Sequence, residues 1–252
     1  MSFFAVENLS VRFGGIRAVD DVSFAVEQGE VFTIIGPNGA GKTTIFNLIS
    51  RIYEPTGGRI LFQGVDITHL PAHAVTQRGI ARTFQNIELF ANATVLQNLL
   101  LGRHTHRSTT LFEEVLFLPS VRRAERAHRR KVEEVIDFLD LQAHRDSLIA
   151  GLPYGVRKVV ELARALCTEP KLLLLDEPSS GLNVEETEDM VFWIRDIKRL
   201  LGITVIMVEH DMSLVSKVSD RVLALNYGKP IALGAPGEVQ RHPEVVRAYL
   251  GE

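Results

Sequence analysis

The sequence predicts an α/β protein: a mostly parallel sheet covered by helices on both faces, with a helical segment inserted into it. Three observations carry that prediction. Short apolar, β-branched or leucine-rich runs recur at Val31–Ile35, Leu172–Leu175 and Thr204–Val208, as in strands buried on both faces. Helical spacing fills much of the chain between them. A glycine-rich loop joins the first run to a helix. Strands that alternate with helices close into a parallel sheet because each crossover needs a covering helix.

Taken in order, Phe4, Val6, Leu9 and Val11 mark a first extended segment, and Gly14-Gly15 breaks it. Val22, Phe24 and Val26 then alternate with polar residues as in a half-buried strand. This start reads as a small antiparallel β subdomain. Gln28-Gly29 turns the chain into the buried run at 31–35, and Thr43 to Ser50 has helical spacing. The stretch from Thr94 to Cys167 is mostly helical. Its Val121–Lys131 portion carries Arg122, Arg123, Arg126, Arg129, Arg130 and Lys131, and Val132, Val135, Ile136 and Leu139 continue a helical face. Beyond Pro170 the strand–helix pattern returns, with a helix at Glu185–Leu201, one at Met212–Val218 and a last core strand at Val222–Leu225. The inserted helical subdomain is placed at about 91–164, within one domain whose core spans about 1–90 and 165–252.

Composition narrows the class. The 252 residues are 46% hydrophobic and 23% charged, with a net charge of −3, which excludes a disordered chain and offers no bulk attraction to nucleic acid. No apolar run approaches the roughly 20 residues of a membrane span. Met1–Phe13 lacks a basic stretch followed by an apolar block, so no secretion signal is expected. The single cysteine, Cys167, suits a reducing compartment and reads as a buried packing residue. His104 and His106 lack the further ligands a metal site needs, and the basic run reads as a solvated helix face.

Two motifs carry chemistry. Gly36-Pro-Asn-Gly-Ala-Gly41-Lys42-Thr43 fits G-x-x-x-x-G-K-[ST], after a predicted strand and before a predicted helix. Its backbone N–H groups and the helix N-terminus suit a polyphosphate. Lys42 is placed to reach the β- and γ-phosphates and the Thr43 hydroxyl to bind Mg²⁺. Asp176 closes the run Leu172–Leu175, so a carboxylate sits at the carboxyl end of a core strand, where open α/β sheets bind ligands. Glu177 follows directly. Adjacent acids repel, and one on a metal with one activating water explains the pair. The triplet that reads guanine is absent, since Asn226-Tyr-Gly-Lys229 lacks its order and its acid.

With these residues the chain resembles the nucleotide-binding subunits of ABC (ATP-binding cassette) transporters over nearly its whole length. Gly36–Thr44 is similar to the Walker A loop, Gln85 to the Q-loop glutamine, Leu172–Asp176 to Walker B, Glu177 to the catalytic glutamate, Ser180–Asn183 to the D-loop and His210 to the switch histidine. Leu152-Pro-Tyr-Gly-Val156 stands where the signature sequence belongs. The resemblance implies a RecA-like P-loop NTPase core, and ATP with Mg²⁺ as ligands. It implies Asn38, Gly39, Ala40, Gly41, Lys42, Thr43 and Thr44 around the phosphates, Phe13 stacked on adenine, and Thr43, Gln85 and Asp176 at the metal. It implies a head-to-tail dimer with an identical or homologous subunit, in which Gly155 faces ATP bound to the partner at the start of a helix from about Val156 to Cys167. Membrane permease subunits, an indirect periplasmic or extracellular solute-binding protein, and a place on the cytoplasmic side of the membrane follow likewise.

Arg82–Phe90, the basic insertion around 103–131, Gly181-Leu-Asn183, Glu209-His-Asp-Met212 and the end Val246–Gly251 resemble the branched-chain amino-acid importers within that family. Two features depart from the common pattern. Pro153, Tyr154 and Val156 replace the serine, first glycine and glutamine of the signature, and Asn183 replaces the D-loop aspartate. A cytosolic mechanical ABC ATPase is the second reading, though it would usually bring two cassettes or a long coiled-coil insertion. A non-hydrolysing nucleotide-binding module is the third; the intact Lys42, Asp176, Glu177 and His210 oppose it.

Overall fold

In the computed structural model, residues 2–106 and 119–250 are described. Residues 107–118 of the basic insertion and Gly251 of the C-terminal match therefore lie outside them. The chain divides into two compact units, one formed by residues 1–85 and 171–252 and the other by residues 86–170.

The first unit holds two sheets. β1 (Phe4–Phe13) and β2 (Ile16–Val26) form a hairpin, and β4 (Gly57–Phe62) with the short β5 (Val65–Asp66) extend it into a four-stranded antiparallel sheet ordered β2-β1-β4-β5. The six-stranded sheet is ordered β10-β9-β3-β8-β7-β6. Its strands are β3 (Val31–Ile35), β6 (Ile80–Arg82), β7 (Leu172–Asp176), β8 (Thr204–Val208), β9 (Arg221–Asn226) and β10 (Lys229–Gly234). All its pairings are parallel except β9–β10, which close the edge as an antiparallel hairpin. Every residue of β3, β7 and β8 is buried, as their unbroken apolar runs require.

The helices of this unit are α1 (Lys42–Ile49), α2 (Ala72–Gln77), α6 (Val184–Leu201), α7 (Met212–Val218), α8 (Pro236–Gln240) and α9 (Pro243–Leu250). Phe46, Leu48 and Ile49 of α1 join one core with Phe4, Phe24, Phe32 and Leu174, and the Phe24 and Phe32 rings stack at 5.1 Å. At about 2 kcal/mol per fully buried large side chain, this cluster fixes the antiparallel sheet on the central one. Sequence periodicity did not mark the strands β4, β5, β6 and β10 or the helices α2, α8 and α9. The helix expected from Glu185 starts one residue earlier.

The second unit is helical: α3 (Val95–Gly102), a 3₁₀ turn at Arg103–His106, α4 (Pro119–Phe138) and α5 (Tyr154–Leu166). Thr94 caps α3 by a reciprocal exchange with Gln97. Asn98, fully buried, donates to Phe90 O and Thr94 O and accepts from Phe90 N–H. All six basic residues of the run lie on the exposed side of α4. Cys167 is buried, and its thiol is pushed up to about 12 by that burial, which disfavours the reactive thiolate. Its place next to Gly102 is a packing contact.

Candidate functional site: the strand ends of the parallel sheet

Parallel pairing sends the carboxyl ends of β3, β6, β7 and β8 to one edge of the sheet; Asp176 closes β7, and the other candidates lie in the segments that follow these strands. Asp176 is level with Val208, Ile34 with the same Val208, and Arg82 with Leu174. The loops that follow therefore begin side by side.

The loop after β3 turns at Gly36, Gly39 and Gly41, all with φ in the left-handed region, which only glycine enters at no steric cost. At Gly36 and Gly41 space forbids a side chain as well. An added Cβ would stand 2.3 Å from Leu225 O at the first and 2.5 Å from Ala18 O at the second. Helix α1 starts at Lys42, with no side chain capping it. Its first N–H groups and positive dipole end are open to an anion. Asn38, Gly39 and Thr43 are exposed, Ala40 is buried, and Thr44 is half-buried.

Lys42 is nearly enclosed, and its ammonium donates to Gly36 O at 2.8 Å and Pro37 O at 3.1 Å. Among the described residues it makes no ion pair. Burial lowers its affinity for a proton, an effect that Glu177 and Asp176 oppose. A buried cation bonded only to neutral carbonyls suits a phosphate, which would supply the missing charge. The loop thus fits a polyphosphate. Thr43, Gln85 and Asp176 supply hard oxygen donors, the type a small divalent cation such as Mg²⁺ takes. No cluster of three His, Cys, Asp or Glu stands among the described residues.

Glu177 sits at φ +50°, a strained position for a non-glycine residue, and its N–H donates to Val208 O at 2.9 Å. That turn swings the carboxylate off the strand. Gln85 Nε2 donates to Glu177 Oε2 at 2.9 Å, and His210 Nδ1 stands 3.9 Å from the same oxygen. Lys42, Gln85, Asp176, Glu177 and His210 are therefore gathered at one edge. Phe13 lies near the tip of the β1–β2 hairpin, 45% exposed and edge-to-face with Tyr53 at 5.1 Å. Gly155 belongs to the other unit. There α5 starts at Tyr154, two residues earlier than expected, so Gly155 lies inside the first turn rather than before it. Pro153 stands at the cap and offers no side-chain bond.

Asn183 caps α6: its Oδ1 accepts from Glu186 N–H at 3.0 Å, and Glu186 Oε2 accepts from Asn183 N–H at 2.9 Å. Asn and Asp cap equally well, so this departure leaves the local structure intact.

Sequence reasoning missed two residues beside the site. Arg82, quoted only within a longer match, donates to Asp176 Oδ2 at 2.8 Å, Asn47 Oδ1 at 2.7 Å and Ser50 Oγ at 2.8 Å, between the rings of Phe46 and Phe84. Its position at the end of β6, level with the acid-bearing strand, is the signal, and it depends on knowing the pairing. The Tyr249 hydroxyl on α9 accepts from Gly36 N–H at 2.9 Å, which ties the C-terminal helix to the phosphate loop across some 213 residues of sequence.

Comparison with known proteins decides the family. Residues 19–180 match the family described as ABC transporter, and residues 229–252 match the one described as branched-chain amino acid ATP-binding cassette transporter. The chain belongs to the ABC transporter family. Among relatives of this ABC chain, the high-affinity branched-chain amino acid transport ATP-binding protein BraF of Pseudomonas aeruginosa is 40% identical over 98% of this chain and 97% of its own length. LivG of Escherichia coli K12, bearing the same description, is likewise 40% identical with the same coverage. A nucleotide-free ATP-binding cassette from an ABC transporter superposes with a TM-score of 0.87 at 31% identity, covering all of both chains. An ABC transporter cassette in its ADP conformation gives 0.86 at 30%, again over all of both chains. The mixed α/β architecture with its antiparallel β subdomain is that of the ABC ATPase cassettes.

Proposed function

We propose that the chain is the ATP-binding and ATP-hydrolysing subunit of an importer for branched-chain amino acids or related small polar solutes. The observation that carries this reading is the Glu177 carboxylate, held between Gln85 and His210 at the strand end beside the phosphate-loop lysine. The near full-length likeness to BraF and LivG supports the substrate class. The reading treats the chain as one ATPase domain with the helical insertion at about 91–164.

In this reading Phe13 stacks on adenine, and the backbone from Asn38 to Thr44 cradles the phosphates. Lys42 leaves the carbonyls of Gly36 and Pro37 for the β- and γ-phosphate oxygens. Thr43, Gln85 and Asp176 would hold Mg²⁺, whose chemistry would be to neutralise charge developing on the phosphates. Glu177 takes a proton from water as the water oxygen attacks the γ-phosphorus, and the bond to the bridging oxygen breaks to release ADP. His210 steadies the γ-phosphate and Gln85 orients the water. Gly155 offers the first turn of α5 to ATP on a second cassette, identical or homologous, in a head-to-tail dimer. That dimer docks on membrane permease subunits from the cytoplasmic side, which a solute-binding protein outside the membrane supplies. No helix among the described residues is long and apolar enough to cross a membrane.

The test is Glu177→Gln. Nucleotide affinity, titrated with a fluorescent ATP analogue, stays near wild type, while turnover falls by about 100-fold or more, the scale of a lost general base. Unchanged turnover removes Glu177 from its role.

A further inference from the structure

The Glu209 carboxylate has no part in the roles above, yet it is fully buried. A buried carboxylate persists only where donors meet its charge. Four do so. Oε1 accepts from Ser179 N–H at 2.9 Å and from Ser179 Oγ–H at 2.6 Å. Oε2 accepts from His210 N–H at 2.8 Å and from Asp211 N–H at 3.1 Å. The His210 ring also stands close, with Nδ1 3.8 Å from Oε2.

These donors come from two loops. Ser179 lies two residues after Glu177, in the loop that follows β7. His210 and Asp211 begin the loop at the end of β8. The β7–β8 ladder stops at the pair Asp176–Val208, and Glu177 then leaves the strand direction at φ +50°. Past that point the Glu209 side chain joins the two loops, one carboxylate oxygen on each.

We propose that Glu209 is a positioning residue for ATP hydrolysis: its buried carboxylate staples the loop carrying Glu177 to the loop carrying His210, and so sets both side chains on the same reacting water. The inference rests on the roles given to Glu177 and His210 above. The chemistry favours a carboxylate here, because only an acceptor on both arms suits N–H and O–H donors on both sides. Glutamine turns an NH₂ toward one set of donors and loses that arm. Displacement of a reacting group by about 1 Å costs up to about 100-fold in rate, whereas the phosphate loop lies on another strand and keeps its grip on nucleotide.

The experiment uses the full-length chain with Mg²⁺ and ATP, and compares Glu209→Gln, Ser179→Ala, His210→Ala, Glu177→Gln and the double variant Glu209→Gln/His210→Ala. Three quantities are read: affinity for a fluorescent ATP analogue, turnover, and hydrogen exchange of the His210 and Asp211 amides. Glu209→Gln is expected to hold affinity within about two-fold, lose about ten-fold or more in turnover and speed exchange at both amides. His210→Ala costs less in the Glu209→Gln background than in wild type, since the imidazole is already misplaced. Ser179→Ala, which removes one bond of the four, gives a smaller loss of turnover at unchanged affinity and carries the test if Glu209→Gln does not fold. Wild-type turnover in Ser179→Ala and Glu209→Gln, unchanged amide exchange, or strict additivity with His210→Ala overturns the proposal. Normal turnover in Glu177→Gln would instead overturn the site reading, while the exchange result would still report whether the staple exists.

Discussion

Arg82 shows how much a single residue can hold at this site. Its guanidinium meets Asp176, Asn47 and Ser50 at once, and both members of the ion pair are nearly sealed from solvent, at 7% and 1% exposure. Removing one partner of a buried pair leaves an uncompensated charge, which costs about 3–5 kcal/mol. Arg82→Ala should therefore lose about that much stability in urea unfolding, far more than an exposed pair such as Lys131–Glu134 could lose. An unfolding midpoint equal to wild type would mean that water or another group compensates Asp176. Periodicity could not single out this arginine, because a strand of three residues, Ile80–Arg82, has too few positions for a pattern.

Close approach and capping decide how the elements pack. In the helical unit, Gly102 ends α3 where a Cβ would come within 2.5 Å of Arg164 O and 2.9 Å of Cys167 Cβ. Gly102→Ala must push α3 from α5, and the expected cost is about 1–3 kcal/mol, read as a lower thermal midpoint. At the start of α6, Asn183→Ala deletes the cap and should cost about 1 kcal/mol, while Asn183→Asp should be nearly neutral. A larger loss in Asn183→Asp would show that the amide serves something besides the cap. The long strands and helices were readable because three or more apolar positions repeat in each. The short strands β5 and β6 form only because neighbouring strands supply the partners their backbones need. The start of α5 was misplaced because Pro153 favours the first positions of a helix as much as it breaks one.

At the scale of the whole molecule, the order of motifs along the chain matters less than the parallel pairing that aligns their strand ends. The same chain order also carries the signature departures at Pro153, Tyr154 and Val156. In the proposed head-to-tail dimer, with proline in place of the signature serine, Gly155 and backbone donors alone would remain for a partner's γ-phosphate. ATP-driven dimerisation of the isolated wild-type chain is accordingly expected to be weak. Sedimentation with and without ATP checks this, and a tight ATP-dependent dimer without any membrane subunit would refute it.

The sequence by itself determined the α/β class, the phosphate loop, the acid pair at a strand end and the family resemblance. These reside in local patterns: apolar runs, glycines where φ is positive, and charged residues at fixed spacing. Tertiary structure alone decided that Arg82 seals Asp176, that Tyr249 reaches Gly36 and that Glu209 joins the Glu177 and His210 loops. Each of those contacts links residues distant in sequence, and no local pattern encodes a hydrogen bond whose partner arrives only when strands pair.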